Sequence, residues 1–165
     1  MSLHLIPSAV ALPVDGRQSE TALAVARGAA RLLRSLGFSC VGEVPLPSGR
    51  RADLVALNGR GEVWILEIKS SLEDLRADQK WQDYRGHCDR LFFAFTAALP
   101  EEVFPADTGL IVADAYGAEL RREAPEHRLP PATRKLMTLR FGLMAAQRLS
   151  RLADPQGHAA SGDQL

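Results

Sequence analysis

Cysteine is scarce in this chain: Cys40 and Cys88 are the two among 165 residues. They stand far apart and form no Cys-x-x-Cys pair, so neither a disulfide framework nor a zinc knuckle is indicated. Histidine is also sparse, and His4, His87, His127 and His158 never meet a cysteine or one another at a ligand-like spacing. No uninterrupted apolar run approaches the ~18 residues that span a bilayer. The opening Met1-Ser2-Leu3-His4-Leu5-Ile6-Pro7 lacks the basic start and long apolar centre of a secretory signal. The expectation is a reduced, cytoplasmic protein with no membrane association. An excess of one charge is missing too: Lys+Arg 20 balance Asp+Glu 20. Bulk charge therefore offers no argument for nucleic acid.

What the chain does have is enough apolar sequence for one packed core, 46% against 24% charged, at a length that suits a single domain. Residues 1–15, with Pro7 and Pro13, read as an N-terminal arm, and 154–165 as a flexible tail. The domain lies between, over residues 16–153. Charge is uneven inside the neutral total. From Arg121 to Arg151 there are eight Arg or Lys against Glu123 and Glu126.

Ser19 can cap a helix that runs to Leu36 and stops at Gly37, with Val25, Ala29, Leu32 and Leu36 as its buried stripe. Strands are predicted over Phe38–Val44, Arg51–Leu57 and Glu62–Ser70. Asn58-Gly59-Arg60-Gly61 forms a hairpin turn between the last two. Ser71 with Asp74 opens a second helix, predicted over Leu72–Arg85 with Ala77, Trp81 and Tyr84 on one face. Further strands follow at Arg90–Thr96, at Gly109–Ala113 and up to Leu120, and Pro130-Pro131 starts a closing helix to Leu152. The order is that of an α/β fold, a mixed sheet with helices packed on it.

The chemistry concentrates in Arg51-Ala52-Asp53 and in Glu62 to Ser71. Val63, Trp64, Ile65, Leu66 and Ile68 make a buried strand, and into it the sequence inserts Glu67 and Lys69. Alternation puts those two side chains on one face. Burying each charge costs several kcal/mol unless it is paired or binds an ion. Asp53 makes the same intrusion on the preceding strand, which the hairpin lays alongside. Two carboxylates on adjacent strands suit magnesium, which keeps water and phosphate oxygens as its other ligands. A lysine beside them can hold an attacking water or offset charge on a phosphate. The competing reading is a plain ion pair of Glu67 with Lys69, with Asp53 facing solvent on an edge.

Asp53, a hairpin, then Glu67-Ile68-Lys69 resembles the motif of the PD-(D/E)XK nucleases, whose core order α-β-β-β-α-β matches the order from Ser19 to Thr96. More narrowly, Arg51-Ala52-Asp53, Glu67-Ile68-Lys69-Ser70-Ser71, Asp78 to Tyr84, Cys88-Asp89 and Leu91-Phe92-Phe93-Ala94-Phe95 resemble the MmcB family of bacterial DNA repair proteins. The departure is Ala52, where the superfamily motif has proline. The resemblance implies a restriction-endonuclease-like fold, a DNA substrate, and magnesium held by Asp53 and Glu67, with manganese as a substitute. It implies Asp53, Glu67 and Lys69 as the catalytic set of a DNA endonuclease acting in repair. The alternatives are a non-cleaving DNA-binding module on the same fold, and a scaffold with a vestigial site.

Glu20 is a secondary candidate, since some superfamily members carry an acid at the start of the first helix. Its stripe with Arg27, Arg31 and Arg34 also describes a solvated face. Gln79 and Lys80 are candidates for the site or for DNA, while Trp81 and Tyr84 read as core. Arg27, Arg31, Arg51, Arg140, Arg148 and Arg151 are the cations available to a DNA backbone. The last helix reads equally as a solvated face or a homodimer interface.

Overall fold

A computed structural model describes residues 19–157, so the predicted arm at 1–15 and most of the predicted tail lie outside the described residues. Ser19 caps the first helix, α1 (Glu20–Ser35), by accepting the Ala22 amide at 3.1 Å on its hydroxyl. Val25, Ala26, Gly28, Ala29 and Leu33 are its buried residues. The predicted stripe through Leu36 is corrected: Leu36 is 48% exposed, because it forms the cap from which the chain turns at Gly37, φ +86°. Gly28 has a different role. A Cβ there would lie 2.1 Å from the Asp114 carbonyl oxygen and 2.3 Å from that of Gly117, so only glycine lets α1 approach this turn.

Six strands follow: β1 (Phe38–Pro45), β2 (Arg51–Asn58), β3 (Val63–Lys69), β4 (Arg90–Phe95), β5 (Gly109–Ala113) and β6 (Ala118–Arg122). They form one sheet in chain order, antiparallel except where β4 lies parallel to both β3 and β5. The hairpin at Asn58 to Gly61 forms as expected, with the Gly61 amide on the Asn58 carbonyl at 3.0 Å. A mixed sheet flanked by helices is consistent with a restriction-endonuclease-like fold. Every residue of β3 is buried, Glu67 and Lys69 included.

Apolar clusters cover both faces of the sheet, and a third gathers Phe93, Phe95, Leu99, Phe104 and Leu110. On one face α1 packs through Val25, Ala29 and Leu33 against Leu54, Trp64, Leu66 and Phe92. Trp64 there stacks between Phe38 and Phe92, at 4.3 and 4.7 Å between ring centroids. On the other face Val55, Ile65 and Leu91 meet Tyr84 and the last helix, α3 (Pro131–Ala153), through Met137 and Phe141.

The long helix predicted after Ser71 does not form. The chain makes a short helix, α2 (Leu72–Ala77), and then a separate 3-10 helix, Trp81–His87. The break sits at Asp78, whose carboxylate accepts the Lys80 amide at 3.2 Å and pairs with the Lys69 ammonium at 2.8 Å. A side chain that bonds its own neighbouring backbone competes with the helix ladder. Ala77 is consequently exposed and Trp81 half-buried, whereas Tyr84 is buried, so these three share no single buried face.

Candidate active site

The β2–β3 ladder runs from Leu57 opposite Val63 to Leu54 opposite Leu66, and stops there. The next two residues in register are Asp53 and Glu67. Their side chains replace the missing ladder bonds: Asp53 Oδ2 accepts the Ile68 amide at 2.8 Å, and Glu67 Oε1 accepts the Asp53 amide at 3.3 Å. The strands part at this point with a carboxylate from each lying in the gap.

Glu67 and Lys69 are 4% and 6% exposed, and their alternation with Ile65 puts them on the face covered by the 3-10 helix. Lys69 is held there by Asp78 at 2.8 Å. Tyr84 reaches the gap from the 3-10 helix: its hydroxyl donates to the Arg51 carbonyl at 3.3 Å, and burial together with the nearby Glu67 and Asp53 charges raises its pKa. On the other side stands Glu43 of β1. Gly42 pairs with Leu54 and Val44 with Ala52, which leaves Glu43 opposite Asp53. Glu43 has φ +53°, an uncommon conformation for a side chain of this size, and it ion-pairs with Arg51 at 2.5 Å.

The electrostatics follow from this crowding. Burial raises the Asp53 carboxyl to about 6; the Ile68 amide and Lys69 oppose the rise, while Glu43 and Asp74 add to it. Burial, then the charge on Asp53, holds Glu67 well above the usual carboxylate range, against the pull of Lys69 and the Asp53 amide. Such a pair retains protons that an exposed carboxylate would have released, and it gains by meeting a cation.

The other predicted residues scatter. The start of α1 lies at the end of β3, with the Ser19 hydroxyl 3.4 Å from that of Ser70, and Glu20 is exposed in that first turn. Gln79 and Lys80 are exposed in the connection beyond α2, and the Gln79 amide group donates to the Arg76 carbonyl at 2.8 Å. Arg31 donates to the Tyr116 carbonyl at 2.8 Å, Arg140 to Pro45 at 2.8 Å, and Arg148 to Gly42 and, at 3.1 Å, to Glu43. Arg27 and Arg151 are exposed. Sequence reasoning missed Asp78, Glu43 and the polar role of Tyr84; no periodicity links them to Lys69, Asp53 or Glu67.

A second buried carboxylate, Asp89, lies at the opposite end of β3. Its oxygens accept the Val63 amide at 2.8 Å and the Leu129 amide at 2.9 Å, and the Arg134 guanidinium binds both at 2.7 Å. Burial alone would raise its carboxyl, but Arg134 and the two amides hold it below the usual range.

Over residues 10–156 the chain matches the family described as DNA repair protein MmcB-like. Among solved structures it is similar to the SPO1766 protein of unknown function from Silicibacter pomeroyi. The two are 47% identical with a TM-score of 0.81, over 86% of this chain and 97% of that one. No curated protein matches. Among the described residues no helix is long and apolar enough to cross a membrane. With the family match spanning nearly the whole fold, the chain belongs to the MmcB-like family of DNA repair proteins.

Proposed function

We propose that this protein is a magnesium-dependent DNA nuclease of the PD-(D/E)XK type acting in repair. The observation that carries the reading is the parting of β2 from β3, with Asp53 and Glu67 in the gap and Lys69 on the same face. The donor set fits a hard divalent ion. A buried and a half-buried carboxylate, both with raised pKa values, are what a cation would relieve, and magnesium needs only one or two protein carboxylates. Among the described residues no group of three or more His, Cys, Asp or Glu is placed to hold a metal ion, so an ion here would rest on these two carboxylates and fill its shell with water and phosphate oxygens. Asp53 and Glu67 would hold the ion, with manganese able to replace it. When bound, it polarises a phosphoryl oxygen and lowers the pKa of a coordinated water.

The protein's own groups supply the rest. Lys69 presents an ammonium beside the carboxylates, where it can donate to a water or to a phosphate oxygen as charge grows there. Asp78 fixes its direction. Exposed Arg27 and Lys80 are available to the DNA backbone. Calorimetric titration of magnesium into the wild type, Asp53→Asn and Glu67→Gln tests the site without relying on turnover. Cleavage of branched, nicked and single-stranded DNA tests the reaction. Metal binding lost in both variants, with cleavage lost alongside, is the expected result. Metal-independent DNA binding with no cleavage of any substrate would favour the non-cleaving module. The absence of DNA binding at low salt would end both readings.

A further inference from the structure

The last helix has two apolar faces. Met137 and Phe141 are buried against the sheet, with Met144 and Ala145 packed beside them. Leu136, Leu139 and Leu143 lie at helical spacing on the outward side, and they are 42%, 54% and 62% exposed. Leu149 and Leu152 are exposed as well but, at 100° per residue, point off this stripe. Beside the stripe, Gly142 is open: a Cβ there would meet nothing within 4 Å. Near the start of the helix the stripe runs into a groove of about 800 Å³ lined by Leu129, Pro131, Thr138 and Leu139, with Arg128 and Lys135 among its charged residues.

Charge decides what could cover this surface. Between Pro131 and Ala153 there are five Arg or Lys and no Asp or Glu, and the groove lining contains no acid. Three of those cations are engaged by the protein itself: Arg134 by Asp89, Arg140 by the Pro45 carbonyl and Arg148 by β1 carbonyls. Lys135 and Arg151 remain exposed along the helix. A second copy laid along the stripe would set cation against cation. DNA would match the charge but would press phosphates onto leucines. We propose that the outward stripe of α3 and its groove form a docking surface for an acidic amphipathic helix of a protein partner. Leucines at this spacing fit between the ridges of such a helix, and its acidic flanks meet Arg128, Lys135 and Arg151.

The test uses the full chain and a fluorescent synthetic peptide with leucines along one helical face and glutamates on both flanks. A second peptide carries lysine at every glutamate position. Fluorescence anisotropy should show binding of the acidic peptide and none of the basic one. Leu139→Ser with Leu143→Ser should weaken binding about tenfold or more while the melting temperature holds, since neither leucine belongs to the core. Lys135→Glu with Arg151→Glu should weaken the acidic peptide and admit the basic one. Equal binding of both peptides, or of neither, overturns the proposal. So does a concentration-dependent dimer in sedimentation that the leucine variant abolishes, which would make a second copy the occupant. Loss of DNA gel shift, or of pelleting with anionic phospholipid vesicles, in the leucine variant would likewise assign the surface elsewhere.

Discussion

The two ends of β3 each bury a carboxylate, and they treat it in opposite ways. At one end Asp89 is met by two backbone amides and a bidentate arginine, and its carboxyl stays below the usual range. At the other, Asp53 and Glu67 face each other in a parted ladder with a single amide bond each, and both are raised. Burial is common to both ends, so burial does not separate them. What separates them is whether the protein completes the neutralisation itself. A carboxylate that the fold satisfies holds elements together; a pair that it leaves short of positive charge is available to something from outside.

The largest test of this contrast is Asp89→Ala. It leaves Arg134 facing two amides without their acceptor and should cost on the order of 3–5 kcal/mol in urea unfolding. A loss near zero would remove the distinction between the ends. Next comes pH. Folded Asp53 keeps its proton to about 6, whereas its ordinary value is 3.8. Between those values the folded state binds more protons than the unfolded one, so metal-free stability should fall as pH rises, by about 3 kcal/mol for a shift of this size. Asp89 tilts the other way: its contribution is present above the ordinary carboxylate value and is lost as pH falls through its lowered one. Denaturation across a pH series should flatten in Asp53→Asn between 3.8 and about 6, and adding magnesium should restore stability at the upper end in the wild type alone.

A smaller change is expected for Glu67→Gln without metal near neutral pH, a gain of about 1–2 kcal/mol as a carboxyl that burial penalises when charged gives way to a neutral amide. Strong destabilisation would make Glu67 a group that holds the fold together, as Asp89 does. The smallest effect is that of Arg134→Lys. It keeps the charge but gives up the planar fork on Asp89, for a loss of about 1 kcal/mol by thermal melts.

Much of this was legible in the chain, for identifiable reasons. The strands and the Asn58–Gly61 hairpin follow from short apolar runs bounded by Gly, Pro and Asn, and the observed strand ends fall close to the predicted ones. The pairing of Asp53 with Glu67 across the ladder follows from hairpin register. Asp78 was not legible: nothing between Leu72 and Arg85 is a Gly or Pro, so the sequence reads as one helix until the Lys69 contact is known. The role of Arg134 was hidden in the same way. It reads as one more cation in a basic segment, and only folding brings it against Asp89. Local pattern specifies elements, whereas ion pairs between distant segments leave no period to detect.

The parted ladder also makes the site observable from the backbone. Ile68 donates its amide to Asp53, and Asp53 donates its own to Glu67, so two main-chain nitrogens are wired to the carboxylates in the gap. Each proton gained or lost there, and each ion that enters, changes the acceptor those nitrogens face. In an amide NMR spectrum Ile68 and Asp53 should therefore report the chemical state of the site residue by residue, without any substrate and without altering a single side chain.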